Sequence, residues 1–196
     1  MKTTGIILAG GKSTRMGTNK ALLDIKGRVL IERVARVLER TCDEILIAGG
    51  DEETYGYLGY TVTPDIFPGC GPLSGIHAGL TAAAYEYSFV AACDIPYPDE
   101  MIIRKMIADP QGYDVVMLYL KDHMEPLFSL YNRNFKHVAA EAIALGIYKV
   151  IDRYILDRVK WKLFPISASP MIFDKDHNLT NINTPGDLNK AKKNAD

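Results

Sequence analysis

Short apolar runs rich in Ile, Val and Leu alternate along the chain with longer stretches of helical period. That alternation is the pattern of parallel strands joined by crossover helices. The strands it predicts are Thr4 to Leu8, Glu44 to Ala48, Ser88 to Cys93 and Asp114 to Leu118, with Pro126 to Tyr131 as one more. Between Val29 and Glu39, the residues Leu30, Val34, Val37 and Leu38 share one face while Glu32, Arg33, Arg36 and Glu39 share the other, as an amphipathic helix requires. Further helices are expected over Leu73 to Glu86, Asp99 to Ala108, Phe135 to Leu145 and Pro185 to Lys193. Pro72 and Pro185 support two of them, since proline lacks only an N–H that the first helical turn leaves unpaired. From Tyr148 to Phe164 a helical pattern mixes with that of a final strand. No repeat, low-complexity tract or Gly/Ser/Pro linker divides residues 1–196, so one α/β domain is expected, a three-layer α/β/α sandwich with its functional loops at the carboxyl ends of the strands.

Charge narrows the partners. With 23 Lys and Arg against 24 Asp and Glu, the net charge of −1 argues against nucleic acid or a membrane surface held by bulk electrostatics. An apolar content of 47% with 24% charged residues is that of a globular protein and excludes disordered, collagenous and coiled-coil chains. Cys42, Cys70 and Cys93 are odd in number and form no Cys-x-x-Cys pair, which points to neither a disulfide framework nor a thiolate metal site but to a reducing cytoplasm. Only Lys2 precedes the short run Ile6-Ile7-Leu8, and no apolar stretch approaches the roughly 20 residues that span a bilayer, so neither export nor a membrane span is expected.

Candidate chemistry begins directly after the first strand. From Leu8-Ala9-Gly10-Gly11 to Lys20 the chain combines three glycines, three cations (Lys12, Arg15, Lys20) and four hydroxyl or amide side chains. Glycines let backbone N–H groups approach an anion, and Lys and Arg neutralise phosphate oxygens. A solvated Gly/Lys turn is the plain alternative. A Walker P-loop ending in Gly11-Lys12-Ser13 fails by one position, because Ile6 stands where the motif needs glycine. A dinucleotide fingerprint starting at Gly69-Cys70-Gly71 fails too, with Ser74 at its third glycine.

The run Leu8-Ala9-Gly10-Gly11, Ser13, Arg15-Met16-Gly17 and Lys20-Ala21-Leu22 resembles the signature loop of the nucleotidyltransferase family, and within it of the molybdenum cofactor guanylyltransferases. The resemblance implies a Rossmann-like fold of the nucleotide-diphospho-sugar transferase type. It also implies that Leu8, Ala9, Gly10 and Gly11 wrap the triphosphate of GTP, with Lys20 and Arg15 on its charge. The related cytidylyl enzymes usually carry Ala-Ala-Gly where this chain has Ala9-Gly10-Gly11, which favours guanylyl transfer.

Asp94 closes the apolar run Phe89 to Cys93, where a lone carboxylate at a strand end suits Mg²⁺, an ion that keeps waters and phosphate oxygens as its other ligands. An Asp just before a proline also starts turns, but Cys93-Asp94-Ile95-Pro96 is similar to the family's metal-holding Cys-Asp-x-Pro segment. Asp65 in Val62-Thr63-Pro64-Asp65 matches a family position that binds GTP. Chemically, an acceptor-only carboxylate can take both the N1–H and the 2-amino group of guanine, a pair cytosine lacks; a solvated turn Asp is the alternative. Gly71-Pro72-Leu73-Ser74-Gly75 is similar to the family's Gly-Pro-Leu-x-Gly, which places Gly71 at the nucleotide pocket, although packing would explain these glycines as well. One departure stands out: where the family's second strand ends in a nucleotide-contacting Asn, this chain has Ala48-Gly49-Gly50. Either nothing takes over from that amide, or the backbone of Gly49 or Gly50 does, or Asp51 does.

In the second half, Pro126-Leu127-Phe128-Ser129-Leu130-Tyr131 resembles the family's Pro-Leu-x-x-x-Tyr strand, and Asn181-Ile182-Asn183-Thr184-Pro185 its closing Asn-x-Asn-Thr-Pro motif. Asn181 and Asn183 are therefore candidates for contacts to the pterin, with capping of the last helix, for which Thr184 or Asn183 is well suited, as the alternative, so that the N-terminal half would bind GTP and the C-terminal half molybdopterin. His77, His123, His137 and His177 show no ligand spacing, and Tyr55, Tyr57 and Tyr60 read as packing around a turn. The resemblance thus implies GMP transfer from GTP to molybdopterin with Arg15, Lys20 and Asp94 catalytic and Mg²⁺ on Asp94. It also implies dealings with proteins of molybdenum cofactor insertion and molybdoenzyme maturation. The rivals are a relative using CTP or a sugar phosphate, a P-loop-type NTPase and a non-catalytic GTP-binding maturation factor.

Overall fold

The computed structural model describes residues 1–10, 19–120, 122–165, 182 and 184–193. Its strands are β1 (Thr3–Leu8), β2 (Glu44–Ala48), β3 (Thr61–Thr63), β4 (Tyr87–Ala92), β5 (Val115–Leu120), β6 (His123–Asn132) and β7 (Trp161–Pro165). They form one sheet in the order β3-β2-β1-β4-β6-β5-β7. β6 runs against both its neighbours, and every other pairing is parallel. The helices are α1 (Leu30–Glu39), α2 (Glu52–Tyr55), α3 (Pro72–Ala82), α4 (Glu100–Ala108), α5 (Phe135–Ala144), α6 (Arg153–Leu156) and α7 (Pro185–Lys193).

The three expected layers follow from where the apolar side chains go. α1 and α4 press Ile31, Val34, Leu38, Ile102 and Met106 onto Ile7, Ile47, Phe89 and Ala91 on one face of the sheet. On the other, α3 and α5 press Leu73, Ile76, Leu80, Phe135 and Ala139 onto Ile6, Leu46, Val90 and Met117. β1 and β4 are covered on both faces and buried along their whole length, which is why they carry nearly continuous apolar sequence.

Several boundaries differ from expectation. α3 stops at Ala82 rather than Glu86, because the next residues turn the chain toward β4 and Ala84 N donates to Glu44 Oε2 instead of to a helical carbonyl. Asp99 is the cap of α4 rather than its first residue, its carboxylate accepting from Met101 N and Ile102 N. β6 is longer than Pro126 to Tyr131 and carries a bulge: its register with β5 jumps from Met117↔Ser129 to Leu118↔Glu125. Ser129 Oγ bridges the irregularity, accepting from Leu118 N and donating to Glu125 O. The mixed region between Tyr148 and Phe164 divides into α6 and β7, the latter parallel to β5. Thr184 opens α7 in reciprocal hydrogen bonds with Asp187, so it takes the capping role that Asn183 was an alternative for.

The connectivity places the site. From β1 the chain moves outward to β2 and β3, then returns through α3 to β4 on the opposite side of β1, so the sheet's switch point lies between β1 and β4. The register Leu8↔Ala92, Leu8↔Ala48 and Ala48↔Thr63 brings the carboxyl ends of these four strands into one row. Among the described residues no helix is long and apolar enough to cross a membrane.

Candidate active site

Beyond that row the ladder continues for one residue: Ala9 N donates to Ala48 O (2.9 Å), Gly49 N to Thr63 O (2.9 Å) and Cys93 N to Leu8 O (3.1 Å). Asp94 is the first residue past the ladder on its strand. Its carboxylate Oδ2 lies 3.8 Å from Lys20 Nζ, with each side chain only 19% exposed. Two residues singled out from separate motifs thus meet at the switch point. Burial pushes the Asp94 carboxyl above the ordinary range, while the Lys20 ammonium and a backbone hydrogen bond pull it back. Asp94 Oδ1 is sealed from solvent and, among the described residues, has no hydrogen-bond partner. An ionised oxygen left in that condition is costly, and it is the hard acceptor a divalent cation seeks. Among the described residues no group of three or more His, Cys, Asp or Glu could hold a metal.

Lys20 opens a short 3-10 turn, Lys20–Leu22, whose cap Asn19 accepts from Ala21 N (3.1 Å). Asn19 Nδ2 donates to the Tyr55 hydroxyl (2.9 Å), which in turn lies 3.3 Å from Ala9 O. Tyr55 therefore ties together the two ends of the glycine-bearing loop, more than the turn packing expected of it. Tyr60, by contrast, bonds Glu39 at the surface.

The neighbouring exits of β1 and β2 touch backbone to backbone. A Cβ on Gly10 would stand 2.8 Å from Gly49 O, and one on Gly49, whose φ is +77°, would stand 3.1 Å from Gly10 Cα. Ala48 behind them is fully buried in the core and presents nothing to the cleft. Asp51 is occupied in capping α2 through Thr54 N (2.8 Å). What stands at this point of the site is the backbone of Gly49. Leu8 likewise offers main chain, its side chain being packed in the core beside α3.

Asp65 sits two residues past β3, its Oδ1 3.3 Å from the Cβ position of Gly49 and 3.8 Å from that of Gly75. Burial raises its carboxyl, and the nearby Ser74 hydroxyl acts in the opposite sense. Gly71, at φ +68°, ends this loop and caps α3 without a side chain. Leu8, Ala9, Gly10, Lys20, Asp65, Gly71 and Asp94 are thus gathered about the carboxyl ends of β1 to β4, whereas Gly11, Arg15, Asn181 and Asn183 lie outside the described residues. Ile182 N donates to Asp94 O (3.1 Å), and Tyr97 OH to Ala191 O (2.6 Å). These bonds fasten the end of the chain to the acidic turn, an attachment with no local sequence signal.

Cys93 is no rival to its neighbour, since burial pushes its thiol up to about 12 and leaves it inert. His77 packs against the Phe67 ring at 4.9 Å, and burial lowers its pKa.

Residues 5–159 match the MobA-like NTP transferase domain. The protein from Pelotomaculum thermopropionicum named "Probable molybdenum cofactor guanylyltransferase" is 41% identical over 98% of this chain and 93% of its own length. The molybdenum cofactor guanylyltransferase of Desulfosudis oleivorans is 32% identical over 96% of this chain and 94% of its own. Among solved structures, molybdopterin-guanine dinucleotide biosynthesis protein A from Archaeoglobus fulgidus superposes with a TM-score of 0.83 at 25% identity, covering 98% of both chains.

Proposed function

The chain belongs to the MobA-like NTP transferase family, and from that premise we propose that it transfers GMP from GTP to molybdopterin, releasing pyrophosphate and forming the guanine dinucleotide cofactor. The observation that carries this reading is the meeting of Lys20 and Asp94 at the switch point, cation against buried carboxylate, between the two loops that such a transfer requires.

A terminal phosphate oxygen of molybdopterin attacks the α-phosphorus of GTP in line, and the bond to the β,γ-pyrophosphate breaks. The nucleophile is already an anion, so no strong general base is called for. Lys20, and Arg15 with it, hold the charge of the departing pyrophosphate, and the backbone around Gly10 and Gly11 cradles the phosphates. Asp94 would hold Mg²⁺ through its orphaned Oδ1. Bound there, the ion supplies Lewis-acid charge that lets two phosphates approach. Tyr55 and Asn19 keep Lys20 at its station by closing the loop behind it. Asp65 reads the guanine edge. Asn181 and Asn183, flanking Ile182 in sequence, are assigned to the pterin, so the N-terminal half binds GTP and the C-terminal half molybdopterin. The reaction belongs in the cytoplasm, upstream of cofactor insertion and molybdoenzyme maturation proteins.

Pyrophosphate release measured with each of the four nucleoside triphosphates, with and without molybdopterin, tests the reading. Release with GTP that depends on the acceptor is expected. A clear preference for CTP would overturn the choice of base, and acceptor-independent hydrolysis would favour an NTPase.

A further inference from the structure

We infer that Ser74 is the positioning residue of purine recognition: its hydroxyl hydrogen is donated to Asp65 Oδ1, so that Oδ2 is presented to the N1–H and 2-amino edge of the base. The inference rests on the proposed use of GTP and deepens it by naming what orients the reading carboxylate.

Ser74 is fully buried, the third residue of α3, and among the described residues its Oγ has no hydrogen-bond partner. Thr81, deeper in the same helix, turns its hydroxyl onto His77 O at 2.8 Å; Ser74, in the first turn, has no preceding helical turn to bond. A sealed hydroxyl left unbonded is costly, and alanine would fit the same space with better helix propensity. Packing therefore does not account for the hydroxyl. Asp65 Oδ1 is likewise sealed and, among the described residues, without a hydrogen-bond partner. The Ser74 hydroxyl is close enough to favour the charged carboxylate, although no aligned hydrogen bond joins the two in the free protein.

Gly49 and Gly75 flank Asp65 Oδ1 without a Cβ, which leaves that oxygen a hollow on the protein side. Asp65 as a whole is only partly buried, and the proposal gives its other oxygen to the ligand. The titratable groups on the elements packed around it are His77 on α3 and Asp51, Glu52 and Glu53 at the start of α2. Among the described residues, burial and Ser74 are the causes of its shift.

The test compares Ser74→Ala, Ser74→Thr and Asp65→Asn in the full chain by initial rates with GTP and with inosine triphosphate, which lacks the 2-amino group, across pH. Ser74→Ala is expected to raise KM for GTP roughly tenfold, as loss of a hydrogen bond to a charged group does, with kcat changed far less. Its preference for GTP over inosine triphosphate narrows. The acid-side midpoint of the KM profile moves up, because the charged carboxylate has lost its donor. Ser74→Thr, which keeps the hydroxyl, restores all three. A merely structural role would lower thermal stability and leave that midpoint in place, which overturns the inference. If Ser74→Ala keeps the parental KM and profile while Asp65→Asn loses the preference for GTP, the inference falls and the proposed function stands. If Asp65→Asn keeps the preference, the reading of guanine at Asp65 falls and takes the inference with it.

Discussion

Replacing Gly49 by alanine probes the close approach on which the nucleotide loop rests. At φ +77° an added Cβ costs about 1–2 kcal/mol from the left-handed backbone alone. The same Cβ would stand 3.1 Å from Gly10 Cα and 3.2 Å from Gly10 N. Both are main-chain atoms that cannot rotate away, so overpacking adds about 1–3 kcal/mol. Gly59 has nearly the same φ, +76°, and nothing within 4 Å of its Cβ position, so Gly59→Ala carries the conformational part only. The difference between the two variants is then the crowding of one backbone by another. At about 2–4 °C per kcal/mol for a chain of this size, Gly49→Ala should melt roughly 2–12 °C below Gly59→Ala. Thermal melts with and without GTP and Mg²⁺ measure it, and ligand should stabilise Gly49→Ala less than the parent because Gly10 has been displaced. Equal melting temperatures for the two variants would refute the close approach of β1 and β2 as an energetic constraint.

Asp94→Ala should reduce turnover by roughly 10²–10³-fold, the scale of losing a group that stabilises transition-state charge, and should abolish any rise in melting temperature caused by Mg²⁺; retained turnover would disprove the metal assignment. Gly79→Ala puts a Cβ 2.6 Å from Ile6 Cγ2 and 2.9 Å from its Cδ1, so about 1–3 kcal/mol of overpacking outweighs the roughly 0.8–1.0 kcal/mol gained in helix propensity. Combined with Ile6→Ala, it should destabilise by less than the sum of the two single changes in chemical denaturation; strict additivity would show that they do not touch. Burial holds the Glu125 carboxyl above its usual value, with the His123 charge pulling the other way. The folded state therefore favours the protonated form, and this contribution to stability, full below the unfolded pKa, is lost as pH rises through the folded one. Glu125→Gln should accordingly be the more stable protein at pH 7, with its advantage shrinking in melts taken below about pH 4.

The sheet's centre was legible because burial on both faces leaves an unambiguous trace: Ile6 to Leu8 and Phe89 to Ala92 are apolar without alternation. Lys20 and Asp94 were singled out from separate motifs just past buried strands, and the fold brings them within 3.8 Å of one another. The direction and bulge of β6 were not legible, because register depends on partners elsewhere in the chain and on one side chain, Ser129, standing in for a missing ladder bond. Gly49 drew notice only as a missing amide. Its positive φ and its approach to Gly10 are pairwise facts that a single strand end does not reveal. Tyr55 looked like its aromatic neighbours until the fold brought Asn19 to its hydroxyl.

The bonds from Ile182 to Asp94 and from Tyr97 to Ala191 bear on how the molecule is born. Translation delivers the seven strands before it delivers the clasp, so a ribosome-tethered nascent chain can assemble its sheet while the acidic turn still lacks the strap that braces it. Competence waits on residues that follow the sheet in sequence, among them Ile182 and Ala191, which also pack with Ile25 and Leu30 in a small core of their own.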